Sequence, residues 1–139
     1  MNLFLDTSVL IAACASTTGA SREVLRLAES HTWMLVVTPY VIAEVEANLS
    51  DLPPIASATW NELRAQLELR EDIFTIDRPA VFGPAKDRPI LFGALAWADV
   101  LLTLDRNDFG PLMGGRFYGL RILRPGMFLE EERAEGRIR

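Results

Sequence analysis

"LFLDTSVL", residues 3 to 10, sets an apolar run directly against an acid and then, without a gap, against side chains that cap helices. Leu3, Phe4 and Leu5 show no polar alternation, so the run reads as a strand buried on both faces. Asp6 ends that strand, and Asp6, Thr7 or Ser8 can cap the helix that continues through "SVLIAACA". One cap suffices where three candidates stand. Asp6 therefore also reads as a ligand for a hard cation.

Outward from this stretch, strands and helices alternate. "GASREVLRLAES" is amphipathic, with Val24, Leu25 and Leu27 on its inner side, and "TWMLVVT" is a second apolar strand. Thr38-Pro39 opens a helix, with Thr38 as cap and Pro39 in the first turn, carrying Val41, Val45 and Leu49 at four-residue spacing. "DLPP" breaks the chain, a helix follows over 55–69, and "DIFTI" reads as a third strand. "DRPAVFGPA" is loop-like. Asp87 caps a helix that reaches Trp97, "VLLTL" is a fourth strand and "GLRILR" a fifth. "PGMFLEEERAEGRIR" reads as a short turn plus a solvated, charged tail, which divides the chain into a domain over 1–130 and a tail over 131–139. The expected fold is a three-layer α/β/α sandwich around a mainly parallel sheet.

The 139 residues suit one domain, and the balance of 50% hydrophobic to 24% charged residues is that of a globular protein. The start lacks a basic segment before its apolar run, and no stretch approaches the length of a membrane helix, so a cytoplasmic protein without a membrane partner is expected. One cysteine, Cys14, precludes an internal disulfide and reads as a core residue. The net charge of −5 argues against coating nucleic acid through bulk electrostatics, but not against a nuclease whose bound cations offset an acidic cluster. Lys86 is the only lysine among 14 basic residues. This reflects either compositional bias or a preference for arginine's phosphate-shaped fork.

In a parallel sheet, ligands bind beyond the carboxyl ends of the strands. Asp6 follows the first strand, Asp105 and Asp108 follow the fourth, and Asp87 opens the helix leading into it. Asp87 is also a sound N-cap, flanked by Lys86 and Arg88, either of which could meet a phosphate. Glu44 and Glu46 share a helix, and residue spacing leaves open which is a ligand and which a solvated acid. Crowded carboxylates repel, and a divalent cation relieves the repulsion and activates water for phosphodiester hydrolysis. His31, the sole histidine, stands between a helix and a strand as a structural or solvent-facing residue. A serine or cysteine hydrolase then lacks its base, and no zinc pattern is present. An aspartyl-phosphate enzyme of the haloacid-dehalogenase type would want an aspartate two residues after Asp6, where Ser8 stands.

The ordered segments "LFLDTSVLIAA", "VVTPYVIAEVEANL", "KDRPILFGALAWADVLLTLDRNDF" and "ILRPGMFLEE" resemble the PIN-domain family, most closely its small VapC-like toxins. The resemblance covers nearly the whole chain. It implies an α/β/α fold and a Mg²⁺- or Mn²⁺-dependent endoribonuclease that leaves a 5′-phosphate and a 3′-hydroxyl. It also implies an RNA substrate, an antitoxin partner and a homodimer. Carried over by position, it assigns the metal and catalytic site to Asp6, Glu44, Asp87 and Asp105, with Ser8 and Thr103 as hydrogen-bonding neighbours. Asp108 is then a cap for the next segment or an outer ligand. Asp99, which precedes its strand, is structural. Ala98 stands where the family frequently has glycine. The alternative is a non-catalytic PIN-like module that binds RNA or protein.

Overall fold

The computed structural model of the chain describes residues 1–76, 82 and 85–139. A six-stranded sheet runs β3-β2-β1-β4-β6-β5, with β1 Asn2–Leu5, β2 Met34–Val37, β3 Glu68–Leu69, β4 Val100–Leu102, β5 Arg116–Phe117 and β6 Leu120–Leu123. All pairings are parallel except β5 with β6. The helices are α1 Thr7–Ala15, α2 Ala20–Ala28, α3 Pro39–Asn48, α4 Ile55–Arg64, α5 Arg88–Trp97, α6 Arg106–Phe109 and α7 Pro125–Ala134. Leu3, Phe4, Leu5, Val36, Val37 and Val100 to Leu102 are buried, as strands covered on both faces require.

Strand order explains where a site can form. From β1 the chain steps outward to β2 and β3, then returns across β1 to β4 on the other side. That reversal opens a crevice between the carboxyl ends of β1 and β4. The Asp6 N–H donates to the Leu102 carbonyl at 3.0 Å, so the residue after β1 is stitched to the end of β4. Helix α5 packs on β1 tightly enough that a Cβ on Gly93 would come within 3.2 Å of the Phe4 ring.

Several elements differ from expectation. "DIFTI" is not a strand. The third strand is the pair Glu68–Leu69, which claims the end of the segment expected to be helical to Leu69, and α4 stops at Arg64. A short antiparallel hairpin precedes β6. Its two-residue turn, Tyr118-Gly119, holds both residues at positive φ, 48° and 87°. This matches the twist of the flanking strands, but the usual signal is Asn-Gly rather than Tyr-Gly. The loop "DRPAVFGPA" lies mostly outside the described residues.

The C-terminal region departs furthest. Helix α7 passes the expected boundary at 130 and ends in a Schellman motif: Gly136 takes φ +72°, its N–H donates to the Arg133 carbonyl, and the Arg137 N–H donates to the Glu132 carbonyl. The turn sends Ile138 back into the core and aims Arg137 at the buried Glu132 carboxylate, with Nε to Oε2 at 2.6 Å. The last residues are thus tied back at two points, the buried Ile138 and the Arg137 pair with the buried Glu132 carboxylate, while their other side chains stay exposed. Removing residues 135–139 should cost about 2–4 kcal/mol, from lost apolar burial and an unpaired carboxylate. A urea midpoint equal to that of the full chain would show the tail to be frayed.

Candidate active site

Asp6 stands at the carboxyl end of β1, 4% exposed, at the N-cap position of α1. Its side chain makes no capping hydrogen bond. Instead Oδ2 accepts from the Ser8 hydroxyl and from the Thr103 hydroxyl, each at 2.7 Å. Thr103 Oγ1 in turn accepts from the Asp105 N–H, and Ser8 Oγ from the Leu104 N–H, both at 3.0 Å. Two hydroxyls thus tie the acid after β1 to the backbone after β4. Burial raises the pKa of Asp6, the Thr103 and Ser8 hydroxyls and the Thr7 N–H lower it, and the charge of Asp105 raises it further.

Glu44 lies in the middle of α3, half-buried, with Oε1 accepting from the Thr7 hydroxyl at 2.8 Å. Burial raises its pKa, the Thr7 hydrogen bond opposes this, and the Asp6 charge adds to it. Glu46 turns the other way and accepts from Arg64 Nη1 at 3.0 Å. The two acids are thereby sorted by their partners, Glu44 towards Thr7 of α1 and Glu46 towards Arg64 of α4. Thr7 was legible only as a third capping candidate, and its role at Glu44 needs the tertiary contact.

Asp87 closes a 3₁₀ turn over Ala85–Asp87 and precedes α5. It occupies the N-cap position but makes no side-chain capping bond. It is 6% exposed, and its Oδ2 has no hydrogen-bond partner among the described residues. Asp105, by contrast, is a working cap: Oδ1 accepts from the N–H groups of Asn107 and Asp108 at 3.0 Å each. Neither Asp87 nor Asp108 makes the side-chain capping bond expected of it; Asp105 caps α6, and α5 has no side-chain cap. Asp108 instead faces the cluster and pairs with Lys86 Nζ at 3.6 Å.

Among the described residues, Asp87, Asp105 and Asp108 each offer a carboxylate oxygen, and these lie within 4.8 Å of one another. Asp6 and Glu44 adjoin this trio without being part of it. The charge of Asp6 acts on both Asp87 and Glu44. Burial, a hydrogen bond shared with Asp108 and the charges of Asp6 and Asp108 push the Asp87 carboxyl up to about 8, and Asp108 is lowered as the acceptor of that proton. An all-oxygen set with a buried, unpartnered carboxylate oxygen fits a hard divalent cation, which supplies the countercharge that protonation otherwise provides. Asp99 lies at the opposite end of the strands, where Oδ2 accepts from the Asn2 N–H at 2.8 Å.

A folded-state pKa above the unfolded value means that the folded chain holds the extra proton. Its contribution to stability is complete below about pH 4 and is lost as pH climbs towards 8. In cation-free protein, Asp87→Asn should therefore raise stability at pH 8 by about 1–3 kcal/mol and change it little at pH 4. Thermal melts in EDTA at both values check this, and a gain that is equal at both would place the strain elsewhere.

No family model matches the chain. Ribonuclease VapC26 of Mycobacterium tuberculosis is 30% identical over 131 residues, spanning 83% of this chain and 97% of that relative. Among solved structures, the crystal structure of VapBC2 from Rickettsia felis bound to a DNA fragment from their promoter matches with a TM-score of 0.61 at 16% identity. That match covers 88% of this chain and 97% of that one, and it supports the α/β sandwich. With the sequence relationship extending over nearly the whole relative, the chain belongs to the VapC-like PIN-domain family.

Proposed function

We propose that the chain is a divalent-cation-dependent endoribonuclease, the toxin of a toxin–antitoxin pair. The observation that carries this reading is the buried Asp87 oxygen that accepts no hydrogen bond from a described residue, beside Asp105 and Asp108. The relative named as a ribonuclease supports RNA as substrate, and the VapBC2 assembly supports an antitoxin as partner.

Asp6, Asp87 and Asp105 would hold Mg²⁺, or Mn²⁺ in its place, with Asp108 as an outer partner. When bound, such a cation would supply countercharge to the carboxylates and phosphate and would make a nearby water more acidic. Glu44, its pKa raised by burial and its carboxylate steadied by Thr7, takes a proton from the attacking water. The water oxygen bonds to phosphorus as the bond from phosphorus to the 3′ oxygen breaks in line with it. The 3′ oxygen takes a proton from solvent, leaving a 3′-hydroxyl and a 5′-phosphate. Lys86, whose side chain is 72% exposed beside Asp108 at the cluster's edge, would contact a phosphate oxygen.

Purified protein should cleave RNA with Mg²⁺ or Mn²⁺ and stop in EDTA. Glu44→Gln should lower kcat by about 10²–10⁴-fold. Asp6→Asn cleaving as fast as the parent would remove the site, and no product from a broad set of RNAs would favour a binding module. Millimolar Mg²⁺ should also raise the melting temperature, since it binds the folded cluster and not the unfolded chain.

A further inference from the structure

The Asp87 side chain makes no capping bond to its own helix, and the turn that carries it is short. Two contacts from elsewhere fix this turn. On one flank, the Arg88 guanidinium donates to the Phe82 carbonyl through Nε and Nη2 at 3.3 and 3.2 Å. On the other, the Tyr40 hydroxyl donates to the carbonyl of Lys86, the peptide that leads into Asp87.

Tyr40 is itself anchored. Its N–H donates to the Asp72 carboxylate, at 3.1 Å to Oδ2 and 3.3 Å to Oδ1. This carboxylate supplies the cap of α3 that the Thr38 side chain does not, since Thr38 Oγ1 is buried without a partner among the described residues. The Asp72 segment is pinned in turn by the Trp97 indole N–H, which donates to the Glu71 carbonyl at 2.9 Å from the far end of α5. On α3, Tyr40 precedes Glu44 by four residues, so both side chains rise from one helix face.

We infer that Tyr40 is a positioning residue: its hydroxyl, braced by Asp72 at the start of α3, sets the Asp87 carboxylate against the helix that carries Glu44. The inference rests on the nuclease reading for its consequence, but not for its geometry. The strut spans two elements that, among the described residues, share no other side-chain hydrogen bond. It transmits the position of Glu44 to Asp87 through one phenol and one carbonyl. Because catalytic groups must be held within a fraction of an ångström, losing the strut loosens the site without dismantling the core.

The test compares Tyr40→Phe with the parent, the ring kept and the hydroxyl removed. In cation-free protein, the amides of residues 85–88 should exchange with deuterium about three- to ten-fold faster, while those of β1 and β4 stay as in the parent. Mn²⁺ titrated by calorimetry should bind about three- to ten-fold more weakly. With RNA and saturating Mn²⁺, kcat should fall and KM should hold, a division that a general loss of folded protein would not produce. Asp72→Ala should move all three readouts in the same direction, and Asp72→Asn, which keeps an acceptor for the Tyr40 N–H, should restore them. Parent-like exchange at 85–88 in Tyr40→Phe overturns the inference. If the parent itself neither binds Mn²⁺ nor cuts RNA, the nuclease reading falls, and hydrogen exchange still decides Tyr40.

Discussion

Several carboxyl groups approach one another closely at the carboxyl ends of β1 and β4, and the site depends on that approach. Asp87, Asp105 and Asp108 meet there, with Asp6 and Glu44 alongside, and burial takes Asp6 and Asp87 out of the water that would screen them. The chain meets the strain locally in several ways. Hydroxyls from Ser8 and Thr103 hold Asp6, backbone N–H groups of α6 hold Asp105, burial and the facing Asp108 push the Asp87 carboxyl towards its neutral form, and Lys86 stands at the rim. Each device satisfies one acid, and Asp87 Oδ2 alone among the described residues' carboxylate oxygens is buried with nothing to accept. The rest of the sandwich serves to keep these groups close despite their repulsion.

That task falls to the sheet. An apolar strand with helices on both faces is hard to displace, and β1 and β4 are both of this kind, with Leu3 to Leu5 and Val100 to Leu102 buried. The acids at their ends inherit that rigidity. Asp87 does not follow a strand, and its placement depends on side-chain struts to Lys86 and Phe82 carbonyls. The crevice is therefore built from two well-anchored walls and a third whose position is set by a few hydrogen bonds.

Much of this was legible in the sequence. Continuous apolar runs announced the parallel sheet, and the acids at the end of "LFLD" and of "LTLD" announced two carboxylates at one edge of it. Ser8 and Thr103 were placed by resemblance to a family, and the structure gives them a physical task at Asp6. Less legible were contacts whose signal is shared between distant residues. Nothing in "DIFTI" distinguishes a strand from the extended segment that caps α3 through Asp72, and a tyrosine before glycine does not announce a hairpin turn. The tail misled for a related reason. Its charge suggested solvent, while Gly136 and the Glu132–Arg137 pair fold it back onto the core.

The amino-acid sequence by itself determined that the segments of β1, β2, β4 and β6 would be largely buried strands, and hence that acids following β1 and β4 would share one edge. This holds because hydrophobic burial and strand direction are local consequences of composition and order. Only the tertiary structure decided which acid caps and which stays free, that Glu44 and not Glu46 faces the crevice, and that Asp108 turns inward. A carboxylate's role depends on which donors reach it, and those donors come from segments tens of residues away. A single residue type can be cap, ligand or solvated charge until the fold has chosen its neighbours.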